Sequence, residues 1–108
     1  MTEEATVEPA ADPPGSPDLV LYVSPGSHAS LKARTNLAAI LERYGADRVR
    51  FEVCDVSREP TRAEEDRILF TPTLVLKAAA TPAWIVGDLS NPAAVVQMLR
   101  TAGIEESS

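Results

Sequence analysis

The sequence has little of the chemistry on which most small enzymes depend. Its 108 residues include one cysteine, Cys54, and one histidine, His28. A single cysteine excludes an intramolecular disulfide and a multi-cysteine metal cluster, and His28 has no partner at the spacing of a metal site. We therefore expect no metal ligand and no disulfide chemistry within the chain.

Long apolar runs and a basic charge are also missing. No stretch approaches the ~20 apolar residues of a transmembrane helix, and the N-terminus lacks the basic start and apolar core of a secretory signal. A cytoplasmic location without membrane contact is the expectation. The formal net charge is −6, and no basic patch predicts binding to nucleic acid.

Most of the acidic excess lies at the two ends of the chain. Seven acidic residues lie outside 19–104: Glu3, Glu4, Glu8, Asp12, Asp18, Glu105 and Glu106. Without them the body has a net charge of +1. Residues 1–17 are rich in proline, alanine and glutamate, a composition that buries too little apolar surface to fold. We predict a disordered extension over 1–17, one domain over 18–104 and a short polar tail over 105–108.

Strand and helix patterns alternate through this domain. Ser27 is a candidate N-cap, Gly45 is placed to end the helix that follows it, and Ser90 or Asn91 would cap the last helix. The predicted strands are 19–23, 49–54, 73–77 and 83–86, and the predicted helices are 28–44, 60–68 and 92–102. The order βαβαββα predicts an α/β domain of the thioredoxin-like class, whose first βαβ unit is parallel and right-handed.

The segment Thr71-Pro72-Thr73 lies where thioredoxin-like proteins have a proline before their third strand. Pro72 disfavours helix at Thr71 and ends the preceding element, while the isomer of its peptide bond stays open. Ser24-Pro25-Gly26-Ser27 stands where a thioredoxin has Cys-x-x-Cys. The pattern therefore predicts the scaffold without its redox chemistry.

No candidate catalytic group has the partners that catalysis needs. Cys54 falls in a strand that we predict to be buried, and Ser24 and Ser27 have no evident base. The acidic run 64–66 lies between arginines on a short helix, so we interpret it as a solvated charged face. We assign no catalytic residue. Trp84 is interpreted as sheet packing or, if it is exposed at the sheet edge, as a partner contact.

Several motifs occur in the same order in one family. They are Leu21-Tyr22-Val23, Asn36-Leu37-Ala38-Ala39-Ile40-Leu41-Glu42, Asp55-Val56-x-x-x-Pro60, Ala63-Glu64-Glu65-Asp66-Arg67-Ile68-Leu69, Thr71-Pro72-Thr73-Leu74 and Ile85-Val86-Gly87-Asp88-Leu89-Ser90-Asn91. Residues 19–100 thereby resemble the KaiB-type circadian clock proteins. The combination is specific, although each single motif is weak.

This resemblance implies a protein-binding regulator without a cofactor. KaiB-type proteins are not enzymes; they bind the ATPase ring of KaiC, a RecA-like kinase, help to sequester KaiA and control output histidine kinases. The family is metamorphic. One form is a tetramer with a rearranged C-terminal half, here about residues 58–104, and the other is the thioredoxin-like monomer that binds KaiC. Our residue patterns favour the second form, with a homotetramer or dimer as the alternative.

Five residues match family positions that imply partner binding: Tyr22, Lys32, Arg58, Arg67 and Asp88. Pro72 and Gly87 match its structural turns. The chain departs from the family at Trp84, where a charged residue is usual, and in 78–81, which replaces a proline-rich basic turn. It also lacks the acidic C-terminal tail of cyanobacterial members. Two alternatives stay open: a glutathione-binding or transferase-like protein that uses Ser24 or Ser27, and a sensor module acting on a histidine kinase.

Overall fold

A four-stranded mixed sheet lies at the centre of the computed structural model, which describes residues 17–45 and 48–106. The elements are β1 (Leu19–Val23), α1 (His28–Leu41), β2 (Phe51–Asp55), α2 (Pro60–Glu65), β3 (Thr73–Leu76), β4 (Ala83–Val86) and α3 (Pro92–Thr101). The strand order is β2-β1-β3-β4; β1 is parallel to β2, and the other two pairs are antiparallel. The predicted order βαβαββα is confirmed.

β1 is the central strand, and all five of its residues are buried. Leu19, Leu21 and Val23 belong to the larger core, to which α1 and α3 contribute. Val20 and Tyr22 belong to a smaller core on the opposite face, which includes Ala63 of α2. The continuous apolar run of β1 thus has the expected cause, since the strand is covered on both faces.

α1 begins at the predicted cap but ends three residues before Tyr44. The Ser27 side chain accepts a hydrogen bond from the Ser30 amide at 3.1 Å. At the other end, the amides of Arg43 and Tyr44 donate to carbonyls three residues back, at 3.1 and 3.0 Å. This tighter turn ends the α-helix, and Gly45 follows with a φ of +85°.

α2 is also shorter than predicted, because it ends at Glu65 and not near Ile68. Arg67 has a φ of +59°, the left-handed conformation usual for a glycine just after a helix. The Arg67 amide donates to the Glu64 carbonyl at 3.0 Å, and the Ile68 amide donates to that of Ala63 at 2.9 Å. These two bonds form a Schellman motif, and Ile68 packs against the smaller core.

Asn91 is the cap of α3, which decides between the two predicted candidates. Its side chain accepts from the Ala93 amide at 3.2 Å, and Pro92 occupies the first turn. The helix ends at Thr101. The strands β2 and β3 are shorter than predicted, because Val49 and Lys77 lie outside them. The Thr71-Pro72 peptide bond, whose isomer the sequence left open, is cis.

Two expectations concern the ends of the chain and the membrane. The predicted disordered extension, residues 1–17, lies outside the described residues except for Pro17 and stays a prediction. Among the helices of the described ranges, none is long and apolar enough to cross a bilayer.

Candidate partner-binding surface

Tyr22 lies beneath α2 and not on the surface. Its side chain is completely buried, and its hydroxyl donates to Asp66 Oδ2 at 2.5 Å. Asp66 also accepts from Lys77 Nζ at 2.9 Å, and its carbonyl accepts from Trp84 Nε1 at 2.9 Å. Burial, followed by the hydrogen bond to Asp66, raises the pKa of Tyr22. Tyr22 therefore holds the end of α2 in place and cannot touch a partner in this conformation.

Lys32 and Asp88 form a pair that joins α1 to the loop after β4. Lys32 Nζ lies 3.3 Å from Asp88 Oδ2, and Asn36 Nδ2 donates to the Asp88 carbonyl at 2.8 Å. Hydrogen bonding from Ser90, and then from Lys32, lowers the pKa of Asp88. Gly87 precedes this loop with a φ of +123°, in the region that favours glycine. The pair is half exposed, so a partner could reach both charges.

Arg58 and Arg67 flank α2 and extend into solvent. The Arg58 side chain is 85% exposed, and its only ion pair among the described residues is a 4.0 Å contact to Asp55. Arg67 is exposed and has no ion pair within the described ranges. By contrast, Arg62 between them is held by Glu52 through two hydrogen bonds of 2.7 and 3.1 Å. Both arginines are therefore exposed enough to contact acidic groups of a partner.

The predicted site residues do not form one cluster. Arg58 lines a broad cleft of about 710 Å³ together with Leu31 and Arg34. Arg67 lines a second concavity, of about 560 Å³, beside Trp84. The Lys32–Asp88 pair lies in neither cleft. A partner that used all of these charges would have to span the molecule from α1 to β4.

The two serines considered as substitutes for a catalytic thiol make structural hydrogen bonds. Ser24 Oγ and Thr71 Oγ1 are 2.5 Å apart, so Ser24 fastens the end of β1 to the segment before Pro72. Ser27 caps α1. Cys54 is buried as predicted, and burial raises the pKa of its thiol to about 11. None of the three is placed as an activated nucleophile.

Sequence reasoning missed two features of this surface. Asp66 was interpreted as part of a solvated acidic run, yet it is the acceptor that links Tyr22, Lys77 and α2. Leu69 and Phe70, in the segment before Pro72, are 84% and 66% exposed. The fold-switching region implied by the resemblance includes these residues, but no periodic pattern marked them.

Comparison with known proteins identifies the family. The sequence profile of the KaiB domain matches residues 20–101. The circadian clock protein KaiB3 of Synechocystis is 37% identical over 73 residues, which cover 68% of this chain and 72% of that protein. The circadian clock oscillator protein KaiB of Thermostichus vulcanus is 41% identical over 73 residues, which cover 68% of each chain.

Solved structures confirm the thioredoxin-like fold. Mitochondrial thioredoxin 3 of Saccharomyces cerevisiae superposes with a TM-score of 0.65 at 24% identity, over 77% of this chain and 76% of that one. The N-terminal domain of Synechococcus elongatus SasA gives a TM-score of 0.58 at 20% identity, over 90% and 91%. These similarities concern the fold, whereas the sequence matches cover the motifs from β1 to α3. This chain belongs to the KaiB family.

Proposed function

We propose that this protein is a non-enzymatic regulator that binds a KaiC-like RecA-fold ATPase and thereby modulates circadian or stress signalling. Membership in the KaiB family supports a role in clock regulation. Beyond family membership, we infer that the partner is such an ATPase and that the thioredoxin-like form described here is the form that binds it. We assign the contact to residues on α1, the flanks of α2 and the loop after β4.

The observation that carries the proposal is the pair of exposed arginines at the two ends of α2. Arg58 is almost fully exposed, and Arg67 is held in a fixed position by the Schellman motif, although its own guanidinium has no described acidic partner. Exposed charges of this kind chiefly set the rate and register of docking. Lys32 and Asp88, already paired, would exchange partners at the edge of the same interface.

Tyr22 has a supporting role in this proposal. Its hydroxyl fixes Asp66, the residue just before Arg67, so that it determines where the Arg67 backbone lies. A change at Tyr22 should therefore lower stability and affinity together. A change at Arg58 or Arg67 should lower affinity alone.

The glutathione alternative has less support. Ser24 Oγ is bonded to Thr71 Oγ1 and Ser27 Oγ accepts from the Ser30 amide, so both oxygens have structural partners within the fold. The sensor-module alternative rests on a fold shared with SasA, and that likeness carries no information on the partner.

The test is co-elution on a sizing column with a KaiC-type ATPase of the same organism, with and without ATP. We compare the wild type with Arg67→Glu and with Arg100→Glu. Arg100 is exposed in the last turn of α3, away from α2, and has no ion pair among the described residues. The two variants thus change the net charge equally.

We expect nucleotide-dependent co-elution that Arg67→Glu removes and Arg100→Glu leaves in place. Equal loss in both variants would mean that net charge, and not the α2 flank, determines binding. Failure of the wild type to co-elute in every nucleotide state would contradict the proposed partner. Binding of glutathione in a parallel titration would then favour the alternative.

A further inference from the structure

Within residues 17–45 and 48–106, no strand pairs with the outer edge of β4. β4 is the last strand in the order β2-β1-β3-β4, and its four residues, Ala83–Val86, include no charged side chain. Proteins usually protect such an edge with charges, bulges or a covering segment, because its free backbone groups pair readily with another chain. Pro82 lies just before the strand, but the strand itself contains neither a charged residue nor a bulge.

The register shows which backbone groups are free. The Gly87 amide donates to the Pro72 carbonyl at 2.9 Å, and Ile85 lies opposite Leu74. In an antiparallel ladder alternate residues face the neighbouring strand, so Ala83, Ile85 and Gly87 bond toward β3. The N–H and C=O groups of Trp84 and Val86 therefore point outward from the sheet.

Exposed apolar side chains accompany these free groups. Trp84 and Val86 are 43% and 61% exposed, and both lie on the α2 face of the sheet. The Phe70 carbonyl accepts from Thr73 Oγ1 at 2.6 Å, and Thr73 lies opposite Val86. The Phe70 backbone therefore lies near the Val86 end of β4. We call Phe70, Trp84 and Val86, together with the exposed Leu69 that precedes Phe70 in the chain, the β4 edge patch. Exposed apolar residues grouped in this way mark interaction sites.

We propose that the β4 edge patch binds a second copy of this chain, with the two β4 strands paired antiparallel about a two-fold axis. Placing Ile85 opposite the partner's Ile85 brings Trp84 opposite the partner's Val86, and Val86 opposite the partner's Trp84. The outward groups of both residues then meet, and four N–H···O=C bonds satisfy all of them. The same register pairs an aromatic with a β-branched side chain twice, a favourable cross-strand combination.

The charges beside Trp84 favour a second copy of this chain over a strongly charged partner. The concavity next to Trp84 has two acidic and two basic residues, Glu65, Asp66, Arg67 and Lys77, and is neutral overall. Asp66 and Lys77 neutralise each other. Glu65 and Arg67 are exposed without an ion pair in the described ranges. Because the concavity has no net charge, two identical copies can approach through it without net electrostatic repulsion, which a two-fold interface requires.

The dimer should be weak. Two four-residue strands and four exposed side chains cannot reach the ~1,600 Å² buried in a typical stable interface. We expect a dissociation constant on the order of 10 μM or weaker. At lower concentrations the chain is then a monomer, as the resemblance to the KaiC-binding form implies, and the dimer is populated only where the protein is abundant.

The test is sedimentation velocity of the full chain over a hundredfold range of concentration, together with tryptophan fluorescence. Trp84 is the only tryptophan, so its emission reports on this edge alone. Val86→Lys places a charge on the strand without touching Trp84 or its bond to Asp66. Leu31→Lys is the matched control, because Leu31 is exposed to a similar degree but lies on α1.

We expect wild type and Leu31→Lys to dimerise with a blue shift of the Trp84 emission, and Val86→Lys to dimerise at least tenfold more weakly. A chain that stays monomeric at every concentration would overturn the proposal. So would a dimer that Val86→Lys and Leu31→Lys weaken equally, or one that forms without a change in Trp84 emission. Binding to the ATPase is measured separately, so failure of one proposal does not imply failure of the other.

Discussion

Arg67 combines an exposed charge with a strained backbone. Its φ of +59° lies in the left-handed region, which costs an ordinary residue roughly 1–2 kcal/mol and a glycine almost nothing. We therefore expect Arg67→Gly to be more stable than Arg67→Ala by about 1 kcal/mol, measured by urea unfolding. Both variants lose the charge, so both should bind the proposed ATPase more weakly.

The same pair of changes at Arg58 is the control. Arg58 is not among the residues with positive φ, so glycine has no strain to relieve there. Arg58→Gly should be less stable than Arg58→Ala, because glycine adds conformational freedom to the unfolded chain. If Arg67→Gly were also less stable than Arg67→Ala, the left-handed conformation of Arg67 at the Schellman end of α2 would be contradicted.

Cys54 should be almost unreactive in the folded protein. Its pKa of about 11 leaves roughly one thiolate in a thousand at pH 8, and its side chain is completely buried. We expect alkylation by iodoacetamide at pH 8 to be at least about a hundredfold slower than in urea-unfolded protein. Equal rates in the two states would contradict the burial of β2 against α2.

The raised pKa of Cys54 also determines whether this thiol makes the fold more or less stable as the pH rises. The thiol has an ordinary pKa near 9.0 and a folded value of about 11, so the fold favours the protonated form. Its contribution to stability is complete below pH 9 and is lost as the pH rises toward 11. Burial raises the pKa of Tyr22 as well, which acts in the same direction at higher pH.

At the scale of elements, Asp66 determines how α2 is attached to the sheet. Its carboxylate accepts from Tyr22 of β1 and from Lys77 just after β3, and its carbonyl accepts from Trp84 of β4. Hydrogen bonds to charged groups contribute about 1.5–3 kcal/mol. We expect Asp66→Ala to lower the free energy of unfolding by at least about 2 kcal/mol, because it leaves the buried Tyr22 hydroxyl without this partner.

Glu65→Ala is the matched control for Asp66→Ala. Glu65 is the neighbouring residue, but it is exposed and without an ion pair in the described ranges, so its loss should stay within about 0.5 kcal/mol. Urea unfolding followed by Trp84 fluorescence measures both. A loss of similar size in the two variants would mean that Asp66 is merely part of a charged helix face.

Element positions were predictable from the sequence wherever a local signal defined them. The apolar run of β1, the Ser27 cap and Pro92 at the first turn of α3 each have a mechanism that depends on a few neighbouring residues. The end of α2 was not predictable in this way, because an arginine takes the position of the usual glycine. The bonds that make this conformation tolerable are visible only in three dimensions.

The candidate site was less accessible to sequence reasoning than the fold. Family positions indicated Tyr22 and Arg67 as equals, yet one is buried and the other exposed. Tyrosine in a central strand can face either layer, and here the layer above it is the end of α2, which closes over the hydroxyl. The importance of Asp66 could not be seen, since its partners Tyr22 and Lys77 are 44 and 11 residues away in sequence.

On the scale of the whole molecule, a few polar contacts join the first half of the chain to residues 58–104. Besides the β1–β3 ladder, they include Tyr22 to Asp66 at 2.5 Å, Ser24 to Thr71 at 2.5 Å, Glu52 to Arg62 at 2.7 Å, Asn36 to the Asp88 carbonyl at 2.8 Å and Lys32 to Asp88 at 3.3 Å. Each of these contacts that a rearranged C-terminal half breaks, as the family resemblance implies, stabilises the form described here. Two folds of one chain can differ by only a few kcal/mol, so these contacts are enough to influence which one is populated.

The charge distribution of the whole chain should influence association with the proposed partner. Residues 1–16 have four acidic residues and no basic one, whereas the flanks of α2 present exposed arginines. If these arginines meet an acidic surface, the N-terminal charges oppose the encounter at long range. We expect deletion of residues 1–16 to raise the association rate with the ATPase several-fold at low salt, measured by stopped flow.

This effect should vanish at high salt. The Debye length falls from about 10 Å at 0.1 M to about 3 Å at 1 M, so distant tail charges are screened long before contacts in the interface are. A variant with Glu3, Glu4, Glu8 and Asp12 changed to the corresponding amides keeps the length of the segment and should match the deletion. If only the deletion were faster, and equally so at all salt concentrations, the segment would act by steric obstruction. Its four acidic charges would then have no part in the encounter.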